Sequence, residues 1–256
     1  MIEAKIKENE SIGEVVSTLR RLDDPLYLKE AVLALNQLYI DSIISGRISN
    51  TPPWKGQERT LENLINAGVL AVGSFYRGNS LEWIYQVKEM VFLSGINKWK
   101  KSEAGVEYRH LEEFDCTINE WANSVSKCNE IKDVDVIVPI ASEGFEPAFL
   151  LNYIIKKPFI LPLRYSRCKR KDSSVRFPAI SPKDWASNQI RGKKVLVVEG
   201  TSLTGTSLKK VVGYVAEQKP EKVLFSAVIA NEKARQRIED TNKKKIDKNT
   251  FTFELL

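Results

Sequence analysis

The pattern of apolar and polar positions changes near the middle of the chain. In the first half, apolar side chains recur every three or four residues, the spacing of one face of an α-helix. Asp24 and Pro25 are a typical N-cap and first-turn pair, and the helical spacing continues from there to Gly46. Further helices are predicted over residues 61–72, from 79 or 80 to 95, and over 111–126.

The second half contains short apolar runs rich in β-branched residues, with helical stretches between them. The runs are DVIVPI (135–140), PFILPLRY (158–165), KVLVVEG (194–200) and KVLFSAVI (222–229), and FTFELL near the end is a candidate last strand. Such runs are typical of strands buried on both faces of a parallel sheet. With helices predicted at 146–156 and 207–218, the alternation predicts an α/β fold with a parallel, Rossmann-like sheet. The predicted domains are a helical N-terminal region, 1–110, and an α/β domain, 111–256.

Composition and charge exclude several classes of function. The chain has 256 residues, of which 43% are hydrophobic and 28% charged, as in ordinary soluble proteins. No apolar run approaches the about 18 residues of a membrane span, and the charged start MIEAKIKENESIGE predicts no secretory signal. The three cysteines lack metal-type spacing, which predicts reduced thiols and a cytoplasmic location. A single histidine, His110, disfavours a His-based metal site or a His-centred triad. A formal net charge of +6 fits a nucleic acid, a small anionic substrate or only a solvated surface.

The stretch VLVVEGTSLTGTS, at 195–207, has the clearest chemistry. Ligands of open parallel sheets bind outside the carboxyl ends of the strands, and Glu199 is predicted to lie at such an end. The loop from Gly200 to Gly205 leads to a helix predicted to begin near Thr206, whose N-terminal backbone N–H groups suit a phosphate. Gly205 allows a positive φ or a close backbone approach. Hydroxyl donors to phosphate are Thr201, Ser202, Thr204, Thr206 and Ser207.

An acid beside a phosphate is repelled unless it meets sugar hydroxyls or magnesium, so the stretch favours a sugar phosphate. An ordinary strand, turn and capped helix fits the same residues, because Ser, Thr and Gly are common at helix N-termini. The stretch is neither a Walker P-loop, which needs a lysine where Thr206 stands, nor a GxGxxG motif.

VLVVEGTSLTGTS resembles the phosphoribosyl-pyrophosphate (PRPP) signature of type I phosphoribosyltransferases. VDVIVPIASEGFEPAFLL resembles the first core strand of that family with its pyrophosphate loop and the following helix, and PFILPLRYSR resembles the second strand with its basic end. The resemblance covers about residues 130–230. It implies a phosphoribosyltransferase-like parallel sheet, with PRPP as substrate and Mg²⁺ as its companion ion.

The resemblance also implies roles for individual residues. Glu199 would bind the ribose hydroxyls, and magnesium through substrate or water, while Arg164 would meet the pyrophosphate; these two are the candidate catalytic residues. The 5-phosphate would lie on the loop after Glu199. The implied PRPP-binding residues are Glu199, Gly200, Thr201, Ser202, Leu203, Thr204, Gly205, Thr206 and Ser207. The implied pyrophosphate loop is Ser142, Glu143 and Gly144, and the implied mobile loop carries Arg167, Lys169, Arg170 and Lys171.

Three residues depart from the family pattern. Gly200 stands where a second acid is expected, although uracil-specific members also lack it. Leu203 stands where hypoxanthine–guanine members carry an acid, which disfavours that subgroup. Glu143 places an acid in a loop expected to meet pyrophosphate, which is unfavourable unless magnesium lies between them.

The reaction implied is transfer of the 5-phosphoribosyl group of PRPP to a nucleobase or related nitrogen acceptor, with release of pyrophosphate. One alternative is a non-catalytic PRPP- or nucleotide-binding regulator, with lysine-rich segments at 98–101 and 243–248 for nucleic acid. Another is a hydrolase or biosynthetic enzyme that uses PRPP with a non-base acceptor. A homodimer is implied by the resemblance, with the N-terminal helices as the candidate interface. Candidate residues for stacking on a base, or for the core, are Trp54, Trp83, Trp99, Trp121 and Trp185.

Overall fold

The structure, a computed structural model, describes residues 12–44, 54–96, 114–141, 143–156, 158–165, 185–202 and 204–230. Contacts within the chain divide it into two compact units, one with the first four helices and one with the sheet. The helices are α1 (Ile12–Arg21), α2 (Pro25–Ile44), α3 (Trp54–Arg77), α4 (Glu82–Leu93), α5 (Phe114–Val125), α6 (Phe145–Ile155), α7 (Trp185–Ile190) and α8 (Thr206–Glu217). The strands are β1 (Val136–Ala141), β2 (Phe159–Ile160), β3 (Leu163–Arg164), β4 (Lys194–Ser202) and β5 (Lys222–Ala230).

In the helical unit, α2 is the central helix, because all ten residues from 31 to 40 are buried. It begins as the sequence predicts: Oδ1 of Asp24 accepts hydrogen bonds from the backbone N–H groups of Leu26 (2.9 Å) and Tyr27 (3.2 Å). The ammonium of the fully buried Lys29 lies 4.4 Å from the ring centre of Phe75 and 5.1 Å from that of Tyr76 on α3. These cation–π contacts are one reason why a lysine is tolerated in this core.

The other helices of this unit differ from the prediction in their bounds. The α3 helix is longer than the predicted 61–72 at both ends, whereas α4 is shorter than the predicted 79–95. The α1 helix was not predicted individually, although its buried residues Ile12, Val15, Val16 and Leu19 have helical spacing. Of the helix predicted at 111–126, residues 114–125 are helical, and 111–113 lie outside the described residues.

The α/β fold predicted for the second half is confirmed. The sheet has the strand order β2-β1-β4-β5, all neighbours are parallel, and β3 also pairs with β1. The run predicted as one strand at 158–165 forms two short strands, β2 and β3. Pro162 lies between them, and its missing N–H group cannot continue a ladder of hydrogen bonds. FTFELL lies outside the described residues.

Both faces of the sheet are covered. On one face, alternate residues of the central strands pack against α8; this core cluster includes Val136, Val195, Val223, Leu208 and Val211. On the other face lie α5 and α6, and there the indole N–H of Trp121 donates to Oγ of Ser226 on β5 at 2.9 Å. Trp121 is therefore a core residue of this unit, as Trp83 on α4 is of the helical unit.

The β4 strand continues further than the sequence predicts. It ends at Ser202 rather than Gly200, because Thr201 and Ser202 pair with Ile229 and Ala230 of β5. Glu199 therefore lies within the strand, opposite Ala227, and not at its end. Pairing with β1, in contrast, stops at Val198. The last four residues of β4 thus extend beyond the part of the strand that pairs with β1.

Candidate functional site

The strands bring three of the predicted segments to one edge of the sheet. Because all strands are parallel, the ends of β1, β3 and β4 meet at the carboxyl edge. The β1 strand ends at Ala141, which pairs with Arg164 of β3. The turn at residues 143–144 follows β1, and the segment from residue 204 to Ser207 follows β4.

The turn at 143–144 lies directly on the two central strands. Gly144 is the N-cap residue of α6, and its N–H donates to the carbonyl oxygen of Ile140 at 2.9 Å. A Cβ atom placed on Gly144 would lie 2.5 Å from the carbonyl oxygen of Val198 and 2.7 Å from the nitrogen and oxygen of Ile140. Backbone atoms of a sheet cannot yield to such an overlap. Only glycine therefore fits at this position.

Gly200 of β4 is in contact with the same turn. A Cβ atom on Gly200 would lie 2.7 Å from both Cβ and the carbonyl oxygen of Glu143. The predicted pyrophosphate loop and the predicted PRPP stretch are thus in direct contact. The sequence shows only that an acid is absent at position 200; the structure adds that no side chain fits there while the turn occupies this place.

Arg164 lies next to this turn. Its Nη1 donates a hydrogen bond of 2.9 Å to the carbonyl oxygen of Ala141, the last residue of β1. The guanidinium is half-buried and carries a positive charge. One cationic side chain is therefore held where β1 passes into the turn.

Glu199 is a buried acid, with 7% of its surface exposed. Side chains alternate along a strand, and Val195 and Val197 face α8, so Glu199 lies on the α8 face of β4 and Gly200 on the α6 face. A carboxylate with so little exposure needs hydrogen-bond donors or a cation around it. This burial makes a purely solvated role for Glu199 untenable.

Ser202 is the second buried polar residue near the end of β4. Its side chain is 2% exposed, and its Oγ has no hydrogen-bond partner among the described residues. Gly200, which comes two residues before Ser202, lies on the same face of β4. Because buried hydroxyls are normally hydrogen-bonded, this one fits a ligand or a water at the end of the strand.

The helix after β4 begins as the sequence predicts. Gly205, its N-cap residue, has φ 66° and ψ 1°, the left-handed conformation that favours glycine, and no side chain caps the helix. Oγ1 of Thr204 lies 3.2 Å from Oγ1 of Thr206, so two of the predicted hydroxyls are neighbours. The positive end of the α8 dipole therefore lies beside hydroxyl groups, at the carboxyl edge of the sheet.

Six predicted site residues lie outside the described residues: Ser142, Leu203, Arg167, Lys169, Arg170 and Lys171.

The side chain of Glu146, in the first turn of α6, was not predicted to take part in the site and is only 8% exposed. Its signal in the sequence is an acid within an otherwise apolar helix. Within the described ranges, no three His, Cys, Asp or Glu side chains cluster as a metal site would require. None of the described helices combines the length and apolar character of a membrane span.

Open α/β proteins with this arrangement, a parallel sheet with glycine turns and a helix N-terminus at its carboxyl edge, form a class that binds ligands at that edge. The phosphoribosyl transferase domain model matches residues 107–255. The chain belongs to the phosphoribosyl transferase domain family.

Individual relatives are distant. Amidophosphoribosyltransferase from Saccharomyces cerevisiae is 24% identical over 166 residues, which is 59% of this chain and 29% of the yeast protein. The chain thus spans less than a third of that relative's length. Among solved structures, purine phosphoribosyltransferase from Pyrococcus horikoshii is 21% identical, with 50% of this chain and 88% of that chain covered and a TM-score of 0.35. The Giardia lamblia APRTase complexed with 9-deazaadenine is 14% identical, with 53% and 82% covered and a TM-score of 0.40.

Proposed function

We propose that this protein is a phosphoribosyltransferase that transfers the 5-phosphoribosyl group of PRPP to a nucleobase or related nitrogen acceptor and releases pyrophosphate. It would act in nucleotide metabolism in the cytoplasm. The observation that carries the proposal is the contact between the turn at 143–144 and Gly200. This contact brings together the turn beside Arg164 and the strand β4. The strand carries the buried Glu199 and leads to the N-terminus of α8.

Each part of PRPP has a group of suitable chemistry at this edge. The N-terminus of α8, with Thr204, Thr206 and Ser207, offers a partial positive charge and hydroxyls to the 5-phosphate. Glu199 offers hydrogen-bond acceptors to the ribose hydroxyls. The turn with Glu143 and Gly144, beside Arg164, would hold the pyrophosphate. Gly200, Thr201 and Ser202 complete the strand between the sugar and phosphate positions.

The residues at the edge also fit a magnesium ion that arrives with PRPP. Mg²⁺ prefers oxygen ligands and is commonly bound through one or two carboxylates together with substrate phosphates. Glu199 supplies such a carboxylate, and a buried acid gains from a nearby cation. When bound, the ion would neutralise negative charge on the departing pyrophosphate.

The reaction breaks the bond between the anomeric carbon and a pyrophosphate oxygen and forms a bond from that carbon to the acceptor nitrogen. The electron pair of the broken bond leaves with pyrophosphate, and the proton of the acceptor N–H group is released to solvent. The chain's contribution is to fix the two ends of PRPP and to stabilise the charge on the leaving group through Arg164. Holding both ends on rigid strand ends and a helix N-terminus suits that task.

A PRPP-binding regulator without turnover is the second candidate. The observation that favours it is Gly200, since a site with one acid fewer on its strand binds sugar and metal less tightly. Release of pyrophosphate in the presence of PRPP, magnesium and a panel of nucleobases separates the two candidates. Turnover with one acceptor supports the transferase, and PRPP binding without release for any acceptor supports the regulator.

A homodimer through the N-terminal helices is part of the proposal. Apolar side chains on α4 and just before it are exposed: Leu81 (60%), Tyr85 (73%) and Phe92 (55%). Their spacing places them on one side of the helix. Light scattering that shows a monomer at micromolar concentration would contradict this interface.

The binding site is tested by calorimetric titration of PRPP with magnesium into the wild type and two variants. We expect wild-type affinity within about 1 µM to 1 mM, the range typical of enzyme substrates. Glu199→Ala should weaken binding at least about tenfold, which is about 1.4 kcal/mol. Gly205→Val should do the same, because valine is strained at φ 66° and displaces the start of α8.

Glu217→Ala, at the opposite end of α8, is the matched control and should bind as the wild type does. Circular dichroism of each variant establishes that it is folded. A folded wild-type protein that does not bind PRPP, with or without nucleobases, would refute the proposed function.

A further inference from the structure

The two unusual residues of the site, Gly200 and Glu143, occupy neighbouring points in space. A Cβ atom on Gly200 would lie 2.7 Å from Cβ of Glu143, which is less than two C–C bond lengths of about 1.5 Å each. The side chain of Glu143 therefore starts almost where a side chain at position 200 would start. An acid is missing from the strand, and an acid is present at the adjacent point on the turn.

The backbone fixes the position from which Glu143 projects. Gly144 packs on Val198 and Ile140 with no space for a Cβ atom, and its N–H is bonded to the carbonyl oxygen of Ile140. The α6 helix begins at the next residue, Phe145. The backbone of Glu143 is thus packed against β4 at Gly200, while its side chain is exposed.

The surroundings of Glu143 match those expected for a ligand-binding acid. Glu199 lies one residue before Gly200 on the opposite face of β4, so this strand has an acid on each of its two sides. The buried Oγ of Ser202, which has no partner among the described residues, lies on the face that Glu143 covers. Arg164 donates a hydrogen bond to the carbonyl oxygen of Ala141, the last residue of β1 before the turn.

We propose that Glu143 supplies the second carboxylate of the PRPP site, in place of an acid at position 200, and binds the magnesium ion that accompanies the pyrophosphate. This inference rests on the proposed function. An acid on a turn that faces pyrophosphate would repel it without a cation, and with magnesium between them the same acid attracts it. Exchanging the acid between turn and strand preserves the number of carboxylates in the site.

The direction in which one substitution changes the Kd of PRPP tests this inference. Glu143→Gln keeps the size of the side chain and removes its charge. If Glu143 binds magnesium, the Kd of PRPP should rise about tenfold, and a higher magnesium concentration should recover part of the loss. If Glu143 only repels an anionic substrate, the Kd should fall. Calorimetric titration of PRPP at limiting and at saturating magnesium measures both.

Three controls complete the experiment. Ribose 5-phosphate, which has no pyrophosphate, should bind equally to the wild type and to Glu143→Gln. Glu217→Gln removes an exposed acid at the far end of α8 and should leave PRPP binding unchanged. Glu143→Asp retains the charge and should keep the magnesium dependence.

The outcomes separate the inference from the function on which it rests. Binding of PRPP to the wild type with unchanged or tighter binding to Glu143→Gln overturns the role of Glu143 alone. An equal loss for ribose 5-phosphate overturns the assignment to magnesium. Absence of PRPP binding to the wild type overturns the proposed function and this inference together.

Discussion

Replacement of Gly144 by alanine tests whether the turn at 143–144 is as tightly packed on the sheet as described. The added Cβ atom would lie 2.5 Å from the carbonyl oxygen of Val198 and 2.7 Å from two backbone atoms of Ile140. Ordinary van der Waals contact begins near 3.4 Å, so β1, β4 or the turn has to move by several tenths of an ångström. Overpacking in a well-packed interior costs about 1–3 kcal/mol, and three simultaneous backbone overlaps place this variant at about 3 kcal/mol.

The free energy of unfolding is measured by urea denaturation followed by circular dichroism. A loss of about 3 kcal/mol lowers the melting temperature of a chain of this size by about 6–12 °C. Gly213→Ala is the matched control: this glycine lies within α8, and nothing is within 4 Å of its added Cβ atom. Alanine there should stabilise the protein by about 0.5–1 kcal/mol. Gly144→Ala with stability within about 0.5 kcal/mol of the wild type would refute the close packing of the turn on β1 and β4.

Two further predictions concern buried hydrogen bonds. Trp121→Phe removes the donor to Oγ of Ser226, which is 3% exposed, and should cost about 1–3 kcal/mol in urea denaturation; a second change, Ser226→Ala, should recover part of the loss, and additive losses would show that the bond contributes nothing. Burial raises the pKa of Tyr39 above its usual 10, and its hydroxyl donates to the carbonyl oxygen of Gln57 at 3.1 Å. The stability that this group contributes is therefore fully present below about pH 10 and is lost as the pH rises above that value. Tyr39→Phe should remove this part of the alkaline loss, so identical stability profiles of wild type and variant between neutral pH and pH 11 would contradict the assignment.

The sheet was predictable because burial on both faces leaves a direct mark on the sequence. The runs at 135–140, 194–200 and 222–229 each coincide with most of a strand, since a parallel strand covered by helices has little room for polar residues. The N-cap of α2 was predictable for a similar local reason, because Asp24 bonds to N–H groups two and three residues away. In both cases the signal lies within one element and its neighbours in the sequence.

The end of β4 was not predictable by the same means. Gly, Thr and Ser are typical of loops, and only pairing with β5 makes Thr201 and Ser202 part of the strand. The division of 158–165 into two strands was not predicted, because the continuous apolar run favoured one strand and the effect of Pro162 was not considered. At the end of β4, a tertiary pairing decided between two local structures that the sequence permits.

The sequence predicts members of the candidate site but does not show the contacts between them. In the sequence, Glu143 and Gly200 are two separate departures from the family pattern, because they are far apart along the chain. Only the structure shows that they are in contact. Arg164 was predicted at the pyrophosphate, and its bond to Ala141 was not, since a strand of two residues leaves no periodic signal. Contacts between distant segments follow from the register of the sheet, which a single sequence does not display.

The contact of Gly200 with the turn has a consequence for how such a site changes during evolution. A single substitution at position 200 that introduces a side chain overlaps the backbone of residue 143, and so it removes stability before it can add a ligand-binding group. Loss of Glu143 alone leaves the strand unable to replace it. The two positions are therefore expected to change as a pair, with the path of the turn altered in the same lineage, so that relatives with an acid at position 200 carry a differently built turn after β1.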